Sequence, residues 1–255
     1  MIKLLLWLLS GLKFLKFGKL LTTGGTMLLS VFVYALIWGW RYAAGFVLLM
    51  FVHEMGHYMA ARRRGLDVGA PTFIPFVGAW IQLKQMPHDA ETEAYVGMAG
   101  PLVGSAGALL CYFIARDQQA DWLLAVAYSG FVLNLFNLIP LSPLDGGRIT
   151  QVISPWLWLA GVPALLALML WRPSPMLILV ALLAASQLWT AWRQRNEPAM
   201  QAYRLASMET RVSYAACYVA LVGFLAVMSY DLHESLQAMA HASTHPASSA
   251  TSQEQ

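Results

Sequence analysis

The sequence is poor in charged residues and in cysteine. Asp, Glu, Lys and Arg make up 11% of the 255 residues, whereas hydrophobic residues make up 58%. Soluble domains carry about 25% charged residues, so much of this protein's surface does not face water. The two cysteines, Cys111 and Cys217, lie in apolar runs and indicate neither a disulfide framework nor a zinc site. The net charge of +3 is too small to indicate nucleic-acid binding.

Apolar runs that approach the roughly 20 residues needed to cross a bilayer occur along most of the chain. They predict an all-α integral membrane protein with about six to seven transmembrane helices in one domain, residues 25–231. The candidate spans are 25–40, 44–61, 94–115, 122–140, 156–171, 174–192 and 212–230.

The two ends of the chain differ from this membrane domain. In residues 1–24, Lys13, Lys16 and Lys19 interrupt an apolar stretch, and no small-residue cleavage site follows. We expect an interfacial amphipathic helix there, with a short spanning helix as the alternative. Residues 232–255 are rich in Ala, Ser, Thr, His and Gln, and we expect a disordered tail.

The distribution of Lys and Arg predicts the orientation in the membrane. With a cytoplasmic N-terminus and seven spans, only Arg41, Arg116 and Arg172 of the 16 Lys and Arg residues fall outside. The segment after Tyr230 has no Lys or Arg, which suits an extracytoplasmic position. We therefore expect a multi-pass protein of the cell membrane whose active-site opening faces the cytoplasm.

One apolar segment does not fit a spanning helix. Residues 66–93 contain Pro71, Pro75, Gly78 and Pro87, and the stretch FIPFVGAWIQLK is rich in β-forming residues. Such a pattern predicts a membrane-associated hairpin or re-entrant loop, which must be sheltered by protein or by a water-filled cavity.

A metal-binding motif lies inside the second apolar run. Residues 53–57 read His-Glu-Met-Gly-His, an H-E-x-x-H motif. On a helix, His53 and His57 are four residues apart and project from one face, so both imidazoles can reach one metal ion. Glu54 is placed to take a proton from an attacking water, as in zinc proteases. Three ionisable side chains in an apolar helix cost roughly 2.5–3.5 kcal/mol each, and a bound metal explains them better than chance packing does.

A catalytic zinc site needs a third protein ligand. Asp145 follows an apolar run in NLIPLSPLDGGR, where Pro140 and Pro143 break the helix. A carboxylate at such a broken helix end can reach across to a metal. The alternative is an ordinary turn in which Asp145 pairs with Arg148.

The two motifs together resemble the site-2 protease family of intramembrane metalloproteases. The matching residues are HEMGH at 53–57 and the N-x-x-P-x-x-x-x-D-G arrangement of Asn137, Pro140, Asp145 and Gly146. The stretch from Phe73 to Gly104 is also similar to that family. The resemblance covers about residues 44–150, the three-helix catalytic core.

The resemblance implies an activity and a set of site residues. His53, His57 and Asp145 would bind one Zn²⁺ per chain, and Glu54 would be the general base. Asn137 would stabilise the oxyanion or clamp the substrate; helix–helix contact is its structural alternative. Substrates would be membrane proteins cleaved within or near a transmembrane segment, in regulated intramembrane proteolysis; the family suggests membrane-anchored regulators such as anti-sigma factors, or signal-peptide remnants.

The sequence departs from many relatives because it shows neither a PDZ module nor a CBS pair. Substrates must then be selected by the membrane core or by a regulatory protein partner. Two rival functions are a membrane metal transporter and a non-catalytic membrane scaffold. A transporter does not need Glu54 and should show ligands at several depths, and a scaffold has no reason to keep Glu54.

Overall fold

The computed structural model describes residues 15–82, 84 and 87–244. Within them the chain is almost entirely helical, with one two-stranded antiparallel sheet. The elements in chain order are α1 (Leu15–Trp38), α2 (Trp40–Arg63), β1 (Thr72–Ile74), β2 (Gly78–Trp80), α3 (Ala90–Gln118), α4 (Asp121–Asn137), α5 (Asp145–Ile153), a 3₁₀ turn (Pro155–Leu157), α6 (Trp158–Trp171), α7 (Pro175–Arg193), α8 (Pro198–Tyr203) and α9 (Met208–Thr244).

The fold class predicted from the sequence is confirmed. Among the described residues, three helices, namely α3, α7 and most of α9, are long and apolar enough to cross a membrane. Shorter apolar helices cover residues Thr22–Trp38 and Pro155–Trp171. Each of the seven candidate spans coincides with helical structure, and Gly39, with φ of 81°, separates α1 from α2. The number of helices that cross the bilayer stays a prediction.

Helices α2, α3 and α4 form the centre of the molecule, with α3 packed against both of the others. Close approach depends on glycine at the crossing points, as is common between membrane helices. A Cβ on Gly56 of α2 would overlap the backbone carbonyl of Ala99 on α3. A Cβ on Gly130 of α4 would press against Leu49 and Ala108. These small residues bring the three backbones close enough to share one buried site.

The segment predicted as a hairpin or re-entrant loop is a hairpin. Strand β1 pairs with β2 in the register Thr72–Trp80, Phe73–Ala79 and Ile74–Gly78. Helix α1 holds the hairpin in place through hydrogen bonds. The Thr26 hydroxyl accepts from the Phe73 amide at 3.3 Å, and the buried Tyr34 hydroxyl accepts from the Phe76 amide at 2.9 Å.

The ends of the membrane domain differ from the sequence prediction. The boundary drawn between residues 24 and 25 falls inside α1, and residues 1–14, where most of the expected interfacial helix lies, are outside the described residues. The expected disordered tail is helical over residues 232–244, because α9 continues to Thr244. Leu232 is buried in the same hydrophobic cluster as Leu124 of α4, which gives this part of α9 an apolar surface to pack on. Residues 245–255 lie outside the described part of the chain.

Candidate metal centre

Two histidines of α2 face each other one helical turn apart. The Nε2 atoms of His53 and His57 lie 3.0 Å apart, and both side chains are buried. Their position follows from helix geometry, because residues at i and i+4 lie on one face. Space for the His57 ring comes from α3: a Cβ on Gly100 would overlap that imidazole.

Asp145 reaches the same point from a different part of the chain. Helix α4 ends at Asn137, and α5 begins at Asp145 itself. The turn between them is tight, since a Cβ on Gly146 would overlap the carbonyl oxygens of Leu138 and Ile139. The Asp145 Oδ2 atom is 3.2 Å from the Nε2 atoms of both His53 and His57. Of the two readings that the sequence left open, the structure favours the one in which Asp145 faces the histidines.

This set of donors fits a zinc ion. Two imidazole nitrogens and one carboxylate oxygen match a common catalytic donor set, and ligands about 2.0–2.2 Å from a tetrahedral ion lie roughly 3.3–3.6 Å from one another. The three donor atoms here are separated by 3.0–3.2 Å. Within residues 15–82, 84 and 87–244, they are the one group of three or more His, Cys, Asp or Glu donors close enough to share a metal.

The outer nitrogens of both imidazoles are held by acceptors. His57 Nδ1 donates to the backbone carbonyl of Val96 at 2.7 Å. His53 Nδ1 lies 2.8 Å from Asn134 Oδ1, and the Asn134 amide nitrogen donates to the Gly130 carbonyl at 2.7 Å. Both contacts place the proton on Nδ1, which leaves the Nε2 lone pair of each ring free for a metal.

Asn134 was missed by the sequence analysis, which singled out Asn137 in the same helix. Asn134 is almost fully buried, at 1% exposure, whereas Asn137 is only partly buried. A second asparagine three residues before Asn137 in an apolar helix was the available signal. A buried amide of this kind needs hydrogen-bond partners, and the metal site supplies one of them.

Glu54 and Asn137 do not touch the three donor atoms but face the same cavity. This cavity is about 300 Å³ in volume. Among the described residues, none donates a hydrogen bond to the buried Glu54 carboxylate. The Asn137 amide nitrogen donates to the Leu133 carbonyl at 3.1 Å, and its other polar atom is available to a ligand. Both residues are therefore placed to act on a molecule in the cavity.

The walls of this cavity come from several elements. Strand β2 forms one side, through Gly78, Ala79 and Trp80, and the first half of α7 forms another. Arg148 of α5 also reaches it. An extended peptide entering the cavity would thus lie between the hairpin and α7, beside the metal centre.

Comparison with known proteins gives the same interpretation for this region. Residues 41–120 match the model of Peptidase family M50, a stretch that includes His53, Glu54 and His57 but ends before Asp145. The chain is 27% identical over 130 residues to "Zinc metalloprotease MJ0392" of Methanocaldococcus jannaschii, which covers 49% of this chain and 37% of that protein. It is 35% identical over 128 residues to "Putative zinc metalloprotease Rip3" of Mycobacterium tuberculosis, covering 46% and 31%.

A third relative is a plant protein. The chain is 25% identical over 156 residues to "Probable zinc metalloprotease EGY1, chloroplastic" of Arabidopsis thaliana, covering 43% of this chain and 28% of that protein. The aligned part is thus about a third of the length of these curated relatives. The resemblance to the site-2 protease family that the two motifs predicted is confirmed, because residues 41–120 match peptidase family M50 and these relatives are named zinc metalloproteases.

Proposed function

We propose that this protein is a zinc metalloendopeptidase of the membrane that cleaves peptide bonds within or near the transmembrane segments of membrane-anchored proteins. The observation that carries the proposal is the buried cluster of His53, His57 and Asp145 beside Glu54, at the edge of a cavity that a β-strand lines. A transporter would need further ligand clusters along a path, and the described residues contain one cluster.

His53, His57 and Asp145 would hold the zinc ion. When bound, the ion supplies a Lewis acid that activates water near neutral pH and polarises a carbonyl group. Glu54 accepts the proton of the attacking water and returns it to the departing amine. Glu54 suits this role by position, because it is buried beside the donor atoms and lines the same cavity.

Asn137 is proposed to hold the substrate. Its side chain lines the cavity on the side of α4, and its amide is suited to hydrogen-bonding the scissile peptide. The substrate must be locally unwound, because a helix hides its scissile amides in its own i→i−4 hydrogen bonds. An unwound segment can then pair with the outer edge of β2 as an added strand.

The reaction takes place within the bilayer, and water reaches the metal centre from the cytoplasmic side. That orientation rests on the Lys and Arg bias of the loops. Substrates are membrane proteins with a transmembrane segment, and a regulatory protein partner is proposed to help select them.

The test uses the full chain reconstituted in lipid vesicles with a candidate membrane-anchored substrate. Glu54→Gln should retain zinc and the fold and lose activity by at least roughly 10²–10⁴-fold, as expected when a general base is removed. Substrates can be found by comparing the membrane proteomes of cells with wild-type and Glu54→Gln protein. Full turnover by a zinc-loaded Glu54→Gln variant would overturn the mechanism.

A further inference from the structure

A second cavity, which we call the arginine cavity, lies away from the metal centre. It has a volume of about 380 Å³ and is lined by the 3₁₀ turn and the start of α6, by the last turns of α7 and the segment that follows, and by Arg204 after α8. The residues that give it its character are Trp156, Leu188, Trp192, Arg195, Asn196 and Arg204. Its walls thus combine apolar side chains with two guanidinium groups.

Within the described part of the chain, neither positive charge of this cavity is in contact with an acidic side chain. Among the described residues, no carboxylate lies within 4 Å of the guanidinium nitrogens of Arg195 or Arg204. Arg195 lies over the Trp192 ring, 4.0 Å from its centroid, and donates to the Trp192 carbonyl at 3.2 Å. The Nε atom of Arg204 is a buried donor that has no acceptor within the described part of the chain.

Partial burial raises the cost of the charge on Arg204. Desolvation lowers the pKa of the Arg204 guanidinium, and the charge of Glu93 only partly opposes this effect. Glu93 itself accepts a hydrogen bond from the Tyr203 hydroxyl at 2.7 Å. A buried cationic donor without an acceptor favours binding of an anion that can accept its hydrogen bond.

The arginine cavity also lies where lipid headgroups are expected. Helix α7, which is long and apolar enough to cross a membrane, ends at Arg193, beside the cavity. Two tryptophans on the cavity rim, Trp156 and Trp192, have 68% and 57% of their surface exposed. Exposed tryptophans next to arginines at the end of a span mark the membrane–water interface. The loop charge bias predicts that this is the cytoplasmic face.

We propose that the arginine cavity binds one anionic phospholipid of the adjacent leaflet. The lipid phosphate accepts hydrogen bonds from Arg195 and Arg204, and the first part of an acyl chain lies along Leu188 and Trp156. Basic pockets at the cytoplasmic ends of membrane helices are suited to this chemistry. A soluble phosphate compound would satisfy the two arginines, but it would leave the apolar wall of the cavity uncovered.

The arginine cavity is connected to the metal centre through one side chain. Trp158, which lines the cavity, is buried and donates from Nε1 to the Gly147 carbonyl at 2.9 Å. Gly147 lies in the first turn of α5, two residues after Asp145. Lipid in the cavity would therefore pack against a residue that is hydrogen-bonded to the first turn of α5.

The test measures lipid retention by the purified full-length protein with native mass spectrometry. Phosphatidylglycerol and phosphatidylcholine with identical acyl chains are titrated separately, and glycerol 3-phosphate serves as a soluble headgroup. Wild type should retain one phosphatidylglycerol per chain in preference to the other two. The double variant Arg195→Gln/Arg204→Gln should weaken this binding by roughly 10- to 30-fold, the loss expected for two arginine–phosphate contacts at a membrane surface.

Two further variants make the result specific. Arg172→Gln/Arg193→Gln removes the same net charge from two arginines that also lie beside tryptophan rings but do not line the cavity. Its affinity should stay within about twofold of wild type, because exposed charges contribute little. Ala191→Phe fills the cavity from α7 without changing any charge, and it should also weaken retention.

Three results would overturn the proposal. One is equal retention of phosphatidylglycerol and phosphatidylcholine by wild type, and another is an equal loss in the cavity variant and in the charge-matched control. The third is glycerol 3-phosphate binding as tightly as the lipid, which would mean a site for a soluble anion. If the double arginine variant does not fold, the Ala191→Phe variant tests the proposal. Unchanged phosphatidylglycerol retention by Ala191→Phe would be incompatible with lipid in the cavity.

Discussion

The Oδ1 atom of Asn134 lies 2.8 Å from the Nδ1 atom of His53, on the side of the imidazole that faces away from the metal centre. The Asn134 amide nitrogen is engaged by the Gly130 carbonyl, so the amide cannot rotate without losing a buried hydrogen bond. This contact fixes both the tautomer and the ring orientation of His53. Asn134 is therefore a positioning residue for a metal ligand.

Replacing Asn134 with alanine should weaken zinc binding by roughly 10–100-fold, the usual cost of removing a group that orients a metal ligand. Competition with a chromogenic chelator measures the affinity directly, without a substrate. The matched control is Asn137→Ala, three residues further along the same helix. Equal zinc affinities in Asn134→Ala and wild type would show that His53 needs no such support.

Asn137→Ala should give the opposite pattern. Its side chain lines the cavity but contacts none of the three donor atoms, so zinc affinity should stay normal. Turnover should fall by roughly 10²–10³-fold if the amide stabilises developing charge on the substrate carbonyl. A zinc-loaded Asn137→Ala variant with wild-type turnover would leave Asn137 with a packing role only.

Gly100 is the position at which a single added methyl group should damage the metal centre most directly. A Cβ there would overlap the His57 ring, which is already held by the Val96 carbonyl. Gly100→Ala should therefore displace His57, destabilise the fold by about 1–3 kcal/mol and lower zinc content. Gly223→Ala on α9 is the control, because nothing lies within 4 Å of an added Cβ. Thermal unfolding and zinc analysis of both variants provide the measurement, and normal zinc content in Gly100→Ala would contradict the geometry.

The sequence predicted those parts of the centre that depend on short-range geometry. Spacing of four residues on a helix was enough to pair His53 with His57. Asp145 is 88 residues from His57, so its place in the centre needed the family resemblance. The family motif selected Asn137, and Asn134 in the same apolar helix was missed because only packing decides which asparagine faces His53. The helical extension of α9 was not predicted, because its composition is polar and the sequence does not show that Leu232 packs against the core.

Strand β2 has an outer edge whose hydrogen-bonding groups can be identified. The Phe73 amide donates to Thr26 and so points away from β2, and Phe73 is opposite Ala79. Opposed residues in an antiparallel pair alternate between bonded and non-bonded positions, so the Ala79 amide and carbonyl also point outwards. The carbonyl of Gln82 points inwards and accepts a hydrogen bond from the Gly69 amide. Because successive residues of a strand alternate in direction, the amide of Ile81 points outwards, like that of Ala79.

Proline at position 81 should block strand addition by the substrate. Ile81→Pro removes an outward amide without removing a hydrogen bond of the hairpin, and turnover should fall by at least about tenfold while zinc content stays normal. Ile81→Ala is the matched control, since it keeps the amide and shortens the side chain, and it should cost much less. If Ile81→Pro cleaves substrate as well as Ile81→Ala does, the hairpin closes the cavity without binding substrate.

The orientation of the protein can be tested with reporters. A reporter fused after the last residue should be read as extracytoplasmic, and one inserted between α7 and α8, at residues 194–197, as cytoplasmic. Paired alkaline phosphatase and fluorescent-protein fusions at both sites give complementary signals. The reverse pair of signals would invert the topology and place both the metal centre's water path and the arginine cavity on the other face.

The distance along the chain between His57 and Asp145 has a consequence for the whole molecule. Cys111 and Cys217 are both free thiols and form no disulfide cross-link. A metal ion held by His57 and Asp145 provides a cross-link instead. It closes a loop of 88 residues, for which chain-entropy arguments give a stabilisation of roughly 4–5 kcal/mol in a fully flexible unfolded chain. Membrane helices persist when tertiary contacts are lost, so the real value is smaller. Zinc in this centre thus cross-links α2 to α5. Removing it with a chelator should weaken the packing between the two helices before either helix unfolds.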